Sequence, residues 1–223
     1  MLQCIYVHGF ASGPSSTKAA FFSSNLRRIG FTVHVPDMNG DNFSDLTISN
    51  QLQLIESNIQ AAGSDVFAVG SSMGSLLSVL ASQRLPAIKA LILMAPGFGL
   101  NRRWPEILGP DRFNEWKQRG TIDTHHHGFG REMPLKFSMF EDATKHQTEN
   151  LRVAVPTLVM HGVNDTVVPC EESKRFHELN SDFAELHMLN SDHGLTDCLP
   201  MLWTLTEEFM ARHQLLPDRA HVG

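Results

Sequence analysis

The segment of this chain best suited to chemistry is Gly70-Ser71-Ser72-Met73-Gly74. It follows the apolar run Val66–Val69 and precedes a stretch of helical period, so it fits G-x-S-x-G in a strand–turn–helix setting. A sharp turn there strains the serine and puts its Oγ at the tip, and only glycine fits where the flanking backbones pass close. Because Ser72 opens a helix, N–H groups of the first turn face any developing oxyanion. A serine hydroxyl is a weak nucleophile near neutral pH and needs a neighbouring base.

With turns of this kind, an acid and then a histidine follow the serine in chain order. Asp165 lies in His161-Gly162-Val163-Asn164-Asp165, after the apolar run Thr157–Met160. His193 lies in Asn190-Ser191-Asp192-His193-Gly194, after Glu185–Leu189. All three residues fall beyond the carboxyl ends of expected parallel strands, where α/β sheets place their sites. Rivals remain. Asn164 or Asp192 are alternatives as the acid, although Asp192 is too close in sequence to reach its neighbour's ring easily. His187 is an alternative base, although it falls inside an expected strand. The rest of an oxyanion hole should come from the loop after the first strand, His8-Gly9-Phe10, so the N–H of Phe10 pairs with that of Met73. His8 and Asp37 read as loop-fixing residues, and Ser16 or Thr17 as a helix N-cap.

Candidates to touch a substrate are Trp104, Trp116, His125 and Phe129. The aromatic ones, with Phe113 and Phe137, equally suit a small core within their own segment. His125-His126-His127 invites a metal reading, but adjacent histidines cannot all face one ion in regular structure. No spaced Cys, His or Glu cluster supports them, and neither metal nor cofactor is expected.

The elements that must position these residues alternate. Expected strands are Cys4–Val7, Phe31–Val35, Val66–Val69, Ala90–Met94, Thr157–Met160 and Glu185–Leu189, several of them continuous apolar runs that suit a sheet covered on both faces. Between them lie helical stripes: Phe22, Leu26 and Ile29 with Gly30 after; Leu52, Ile55, Ile59 and Ala62; Met73, Leu76, Leu77, Leu80 and Ala81; Leu202, Leu205 and Phe209. A frayed tail is expected from Pro217. About 60 residues separate the strand ending near Met94 from the next, far more than the usual connection. Residues 101–135 are expected to cross over the top of the sheet as a short lid, followed by a helix from about Ser138 to Asn150.

The chain has 223 residues, 42% hydrophobic and 19% charged, which suits one well-cored domain over 1–223. A net charge of −6 gives no basic face for nucleic acid. No run approaches the roughly 20 apolar residues of a membrane helix, and Leu2–Val7 is too short for a signal core. The three cysteines lack pairing spacing and read as reduced thiols in a cytoplasmic protein.

Assembled, these motifs resemble the α/β-hydrolase superfamily over essentially the whole chain. Within it they resemble a group of small bacterial esterases, through Tyr6-Val7-His8-Gly9-Phe10, the stretch Gly13–Lys18, Val35-Pro36-Asp37, the Ser72 turn, His161-Gly162 with Asp165 and Val168-Pro169, and Ser191-Asp192-His193. Trp116–Gly120 and Phe140–Ala143 add to the likeness. Ser75 departs from it, since many members carry glycine there. The resemblance implies an α/β-hydrolase fold and cleavage of a small-molecule acyl ester through an acyl-serine. Similarity to acyl-protein thioesterases brings thioesters into range. The short excursion favours small or medium acyl groups, and the rival reading is a ligand-binding protein of the same fold. Oligomeric state is not legible.

Overall fold

The computed structural model describes residues 2–217, and the tail expected beyond Pro217 lies outside them. In chain order the elements are β1 (Gln3–Val7), α1 (Thr17–Arg28), β2 (Val33–His34), α2 (Ile48–Ala62), β3 (Val66–Ser71), α3 (Met73–Ser82), β4 (Ile88–Met94), α4 (Leu100–Arg119), β5 (Thr121–His126), β6 (Arg131–Lys136), α5 (Ser138–Ala143), β7 (Thr157–Gly162), α6 (Glu171–Leu179), β8 (Ala184–Leu189) and α7 (Leu199–Arg212). Six strands form a parallel sheet in the order β2-β1-β3-β4-β7-β8, while β5 and β6 pair antiparallel as a separate hairpin.

The pleat divides the core in two. Ile5, Val7, Ala68, Leu91, Leu93 and Val159 face Ile55, Leu76, Leu77, Leu80 and Phe176 on one side. Their neighbours Cys4, Tyr6, Phe67, Val69, Ile92 and Met160 face Phe22, Leu26, Leu202 and Phe209 on the other. Continuous apolar strands are therefore what this architecture requires, because helices cover both faces. It is the α/β-hydrolase fold, a parallel sheet with helices on either side.

Two elements differ from expectation for local reasons. β2 is reduced to two residues at the sheet edge, and Phe31 leaves the ladder to pack edge-on against Phe67 at 4.9 Å. The helix expected from Ser138 to Asn150 stops at Ala143, where the Asn101 amide takes the carbonyls of Ala143 and His146. Between 101 and 135, α4 breaks at Gly109, which has φ 73°, and Pro110 opens its second segment, where a missing N–H does no harm. The β5–β6 hairpin then returns the chain to α5. No described helix is long and apolar enough to cross a membrane.

Candidate active site

Ser72 links β3 to α3 with φ 54° and ψ −119°, a conformation an L residue adopts only under constraint. The constraint is close packing on all sides: a Cβ at Gly70 would lie 2.6 Å from Ser75 Cα, and one at Gly74 would run into the Val7 carbonyl. Three hydrogen bonds hold the backbone: Ser72 N–H donates to Met94 O at 2.9 Å, while Ser75 N–H and Gly97 N–H reach Ser72 O at 3.0 Å. Ser75, where glycine is commoner, is itself fully buried, and its hydroxyl bonds Met94 of β4. It thereby ties the start of α3 to the sheet. Although Ser72 occupies the N-cap position of α3, its hydroxyl makes no cap bond. It bonds His193 Nε2 at 3.0 Å instead.

Across the ring, His193 Nδ1 donates to Asp165 Oδ2 at 2.7 Å. Asp165 sits in the loop after β7, with its side chain wholly buried. Oδ1 accepts Val167 N–H at 2.8 Å and Val168 N–H at 2.7 Å, while Oδ2 also meets His161 Nε2 at 3.1 Å. Burial alone would raise its pKa. The hydrogen bonds from His161, His193 and the Val168 N–H outweigh that and hold the carboxyl well below the ordinary range. His161 is fully buried and is fixed by Ser173 Oγ–H, which donates to Nδ1 at 2.6 Å, so Nε2 is its donor. The guanidinium of Arg103 donates to Val167 O and braces the same loop.

The rivals are engaged elsewhere. Asp192 Oδ1 accepts the N–H groups of Gly194 and Leu195, shaping the turn that presents His193. Asn164 bonds Asn190 at the surface, and His187 lies in β8 beside Glu185. The loop after β1 is tied by His8, whose Nδ1 donates to Gly9 O at 2.9 Å and whose Nε2 accepts Met38 N–H at 2.9 Å. Asp37 Oδ1 accepts both the backbone N–H and the side-chain amide of Asn39. These bonds fix Phe10 above the elbow, and its ring packs edge-on against Trp104 at 6.0 Å. Ser16 stands at the N-cap of α1, but its hydroxyl makes no cap bond, contrary to the role expected of it.

Ser72 and His193 open onto a cavity of about 740 Å³, also lined by Phe10, Lys18, Thr124, His125, His127 and Thr196 among others. Of the four expected substrate contacts, only His125 is on that wall. The other three need correction. Trp116 is fully buried, its indole N–H donating to Leu135 O at 2.9 Å, in an aromatic cluster with Trp104, Phe113, Phe137 and Phe140. Trp104 supports Phe10 from behind, and Phe129 is 56% exposed, stacked on the buried His126 at 4.2 Å. Aromatic type alone does not separate a wall from a core; the strand alternation of β5 and the kink of α4 do. The three adjacent histidines split between two faces: His126 is buried, whereas His125, paired with Glu132, and His127 both line the cavity with their rings 5.0 Å apart. Sequence reasoning assigned no role to Lys18 or to His161 as second partner of Asp165. Both lay within noted motifs, but neither carries a chemical signature of its own.

Comparison with known proteins agrees with this architecture. The chain is 28% identical over 234 residues to a Mycoplasma genitalium protein that carries an esterase/lipase name, covering 89% of this chain and 85% of the relative. It is 26% identical over 163 residues to the pimeloyl-acyl-carrier-protein methyl ester esterase of Stenotrophomonas maltophilia, covering 71% of this chain and 59% of that one. Mouse alpha/beta hydrolase domain-containing protein 10 superposes with a TM-score of 0.80 at 19% identity, over 94% of this chain and 90% of the other. Residues 3–210, nearly the whole chain, match the model of the uncharacterised protein family UPF0227, and the chain belongs to that family.

Proposed function

We propose that this protein hydrolyses carboxylic esters through an acyl-serine intermediate, with Ser72 as nucleophile, His193 as general base and Asp165 as the acid that orients it. The observation that carries the reading is the continuous hydrogen-bond chain from Ser72 Oγ through His193 to Asp165, opening onto a cavity. The esterase names of the relatives support ester cleavage.

In this scheme Ser72 Oγ attacks the acyl carbon while its proton passes to His193 Nε2. Asp165, held as carboxylate by its hydrogen bonds, stabilises the imidazolium formed at Nδ1. The N–H groups of Phe10 and Met73 receive the tetrahedral oxyanion. Met73 is the first residue of α3, so its N–H has no partner within the helix. Each such donor is worth about 10² to 10³ in rate. Collapse of the intermediate breaks the bond to the leaving oxygen, which takes the proton from Nε2. Water then repeats the steps on the acyl-serine. Thioesters enter by the same intermediate. The cavity volume of about 740 Å³ suits small to medium acyl groups, and three unpaired thiols suit a reducing, cytoplasmic setting.

The test is hydrolysis of p-nitrophenyl esters from acetate to decanoate by wild type and Ser72→Ala, with fluorophosphonate labelling in parallel. Turnover and labelling that vanish together in the variant are expected. Equal rates in both proteins would remove Ser72 from the chemistry, and tight ligand binding without turnover would favour the receptor reading.

A further inference from the structure

The cavity beside Ser72 has a charge pattern that ester cleavage does not by itself require. The whole chain is acidic, with 24 Asp and Glu against 18 Lys and Arg. Yet the residues lining this cavity include Lys18 and the histidines 125, 127 and 193, and no carboxylate. Lys18 enters from the first turn of α1. Lys89, Lys136, Lys145 and Lys174 each sit against an Asp or Glu, and Lys117 is exposed to solvent, whereas half-buried Lys18 has no hydrogen-bond or salt-bridge partner among the described residues. A largely desolvated ammonium without a partner is a cost to the folded state that a bound anion would offset.

Its surroundings say where that anion would sit. The carboxylates that act on Lys18 are Asp165 and Asp192, which places the ammonium near the loops carrying the acid and the base. Burial pushes its pKa down to about 8, against the pull of those groups. Lys18 and His193 line the same cavity, in which a leaving oxygen must collect its proton from His193. The first turn of α1 carries no acidic residue and no side-chain cap, leaving its backbone N–H groups to reinforce the same positive wall.

From this arrangement we infer that Lys18 is a specificity-determining residue that binds an anionic group, carboxylate or phosphate, on the alcohol part of the ester. The inference rests on the ester-hydrolase reading above and narrows its substrates to esters whose leaving group carries a negative charge. Lys18 takes no part in proton transfer; it positions the leaving group beside His193 Nε2.

The experiment compares 4-acetoxybenzoate with 4-acetoxybenzamide, which share the acetyl group and differ in the charge of the leaving phenol. Rates are corrected for each ester's reactivity toward hydroxide. Wild type should prefer the anionic ester by about tenfold or more in kcat/KM, a typical worth for one charge-assisted hydrogen bond. Lys18→Met should bring the ratio near one, with the change mainly in KM, and Lys18→Arg should retain most of the preference. Wild type that cleaves both esters in a Ser72-dependent way without preference would overturn the inference and leave the hydrolase reading standing. So would Lys18→Met with its preference intact. Failure of wild type on both esters would count against the hydrolase reading, and binding of 4-hydroxybenzoate by calorimetry then decides Lys18 alone. Binding by wild type that is lost in Lys18→Met supports the anion site, and absence of binding by wild type removes it.

Discussion

Asp165→Asn changes one atom and should disable the site while leaving the chain folded. The carboxylate accepts at both oxygens: two backbone N–H groups at Oδ1, and His193 Nδ1 with His161 Nε2 at Oδ2. An amide has one oxygen, and the two N–H groups at 2.7–2.8 Å will keep it on the Oδ1 side. Its NH₂ then faces His193 Nδ1, which must become an acceptor. The imidazole proton moves to Nε2, which faces the Ser72 hydroxyl at 3.0 Å with no lone pair to receive its proton. The expected loss in kcat is about 10⁴-fold, or ~5 kcal/mol of barrier. KM should change little, because Asp165 does not line the cavity. Loss of charge from the network should also cost about 2 kcal/mol of stability at neutral pH. That contribution has a defined pH window. The folded pKa of Asp165 lies below the unfolded value of about 3.9, so the stability is fully present above pH ~4 and is lost as pH falls through the folded value. Urea titrations between pH 7 and 3 should therefore show a shallower acid loss in the variant than in wild type. A variant within tenfold of wild type in kcat, with unchanged secondary structure, would refute the tautomer argument and the role given to Asp165.

Four further outcomes follow from individual contacts. His161→Phe keeps an aromatic ring, slightly larger than imidazole, but strands Ser173 Oγ and the Val168 carbonyl in the interior; it should cost about 1–3 kcal/mol by urea denaturation and lower kcat more than it raises KM. Trp116→Ala should cost about 3–5 kcal/mol, since it empties a fully buried site and frees the Leu135 carbonyl. Phe129→Ala, at an exposed ring, should stay within about 1 kcal/mol in the same assay and within about twofold in kcat/KM, as befits a residue off the cavity wall. Gly74→Ala should abolish folding at 37 °C, because the new methyl meets the Val7 backbone and not a side chain that can move; a thermal melt close to wild type would show that β1 and α3 separate more easily than their packing implies.

What the sequence determined by itself was local and one-dimensional. Glycine spacing around Ser72, the apolar runs before it and before Asp165 and His193, and the order of those three residues follow from steric and pairing rules that act over a few residues. They were enough to fix the fold class and to nominate the site. The tertiary structure decided whatever depends on which surfaces meet. It buried Trp116 against α5 and sent Phe129 outward, although both are aromatic residues of the same insertion. It shortened β2 by packing Phe31 on Phe67 outside the ladder, and ended α5 early because Asn101, far away in the chain, claims its carbonyls. It gave Ser75 a bond to β4 in place of the usual glycine. Above all, it brought Lys18 from α1 to the cavity, where its charge acquires meaning only from neighbours more than a hundred residues away, such as His125 and His193.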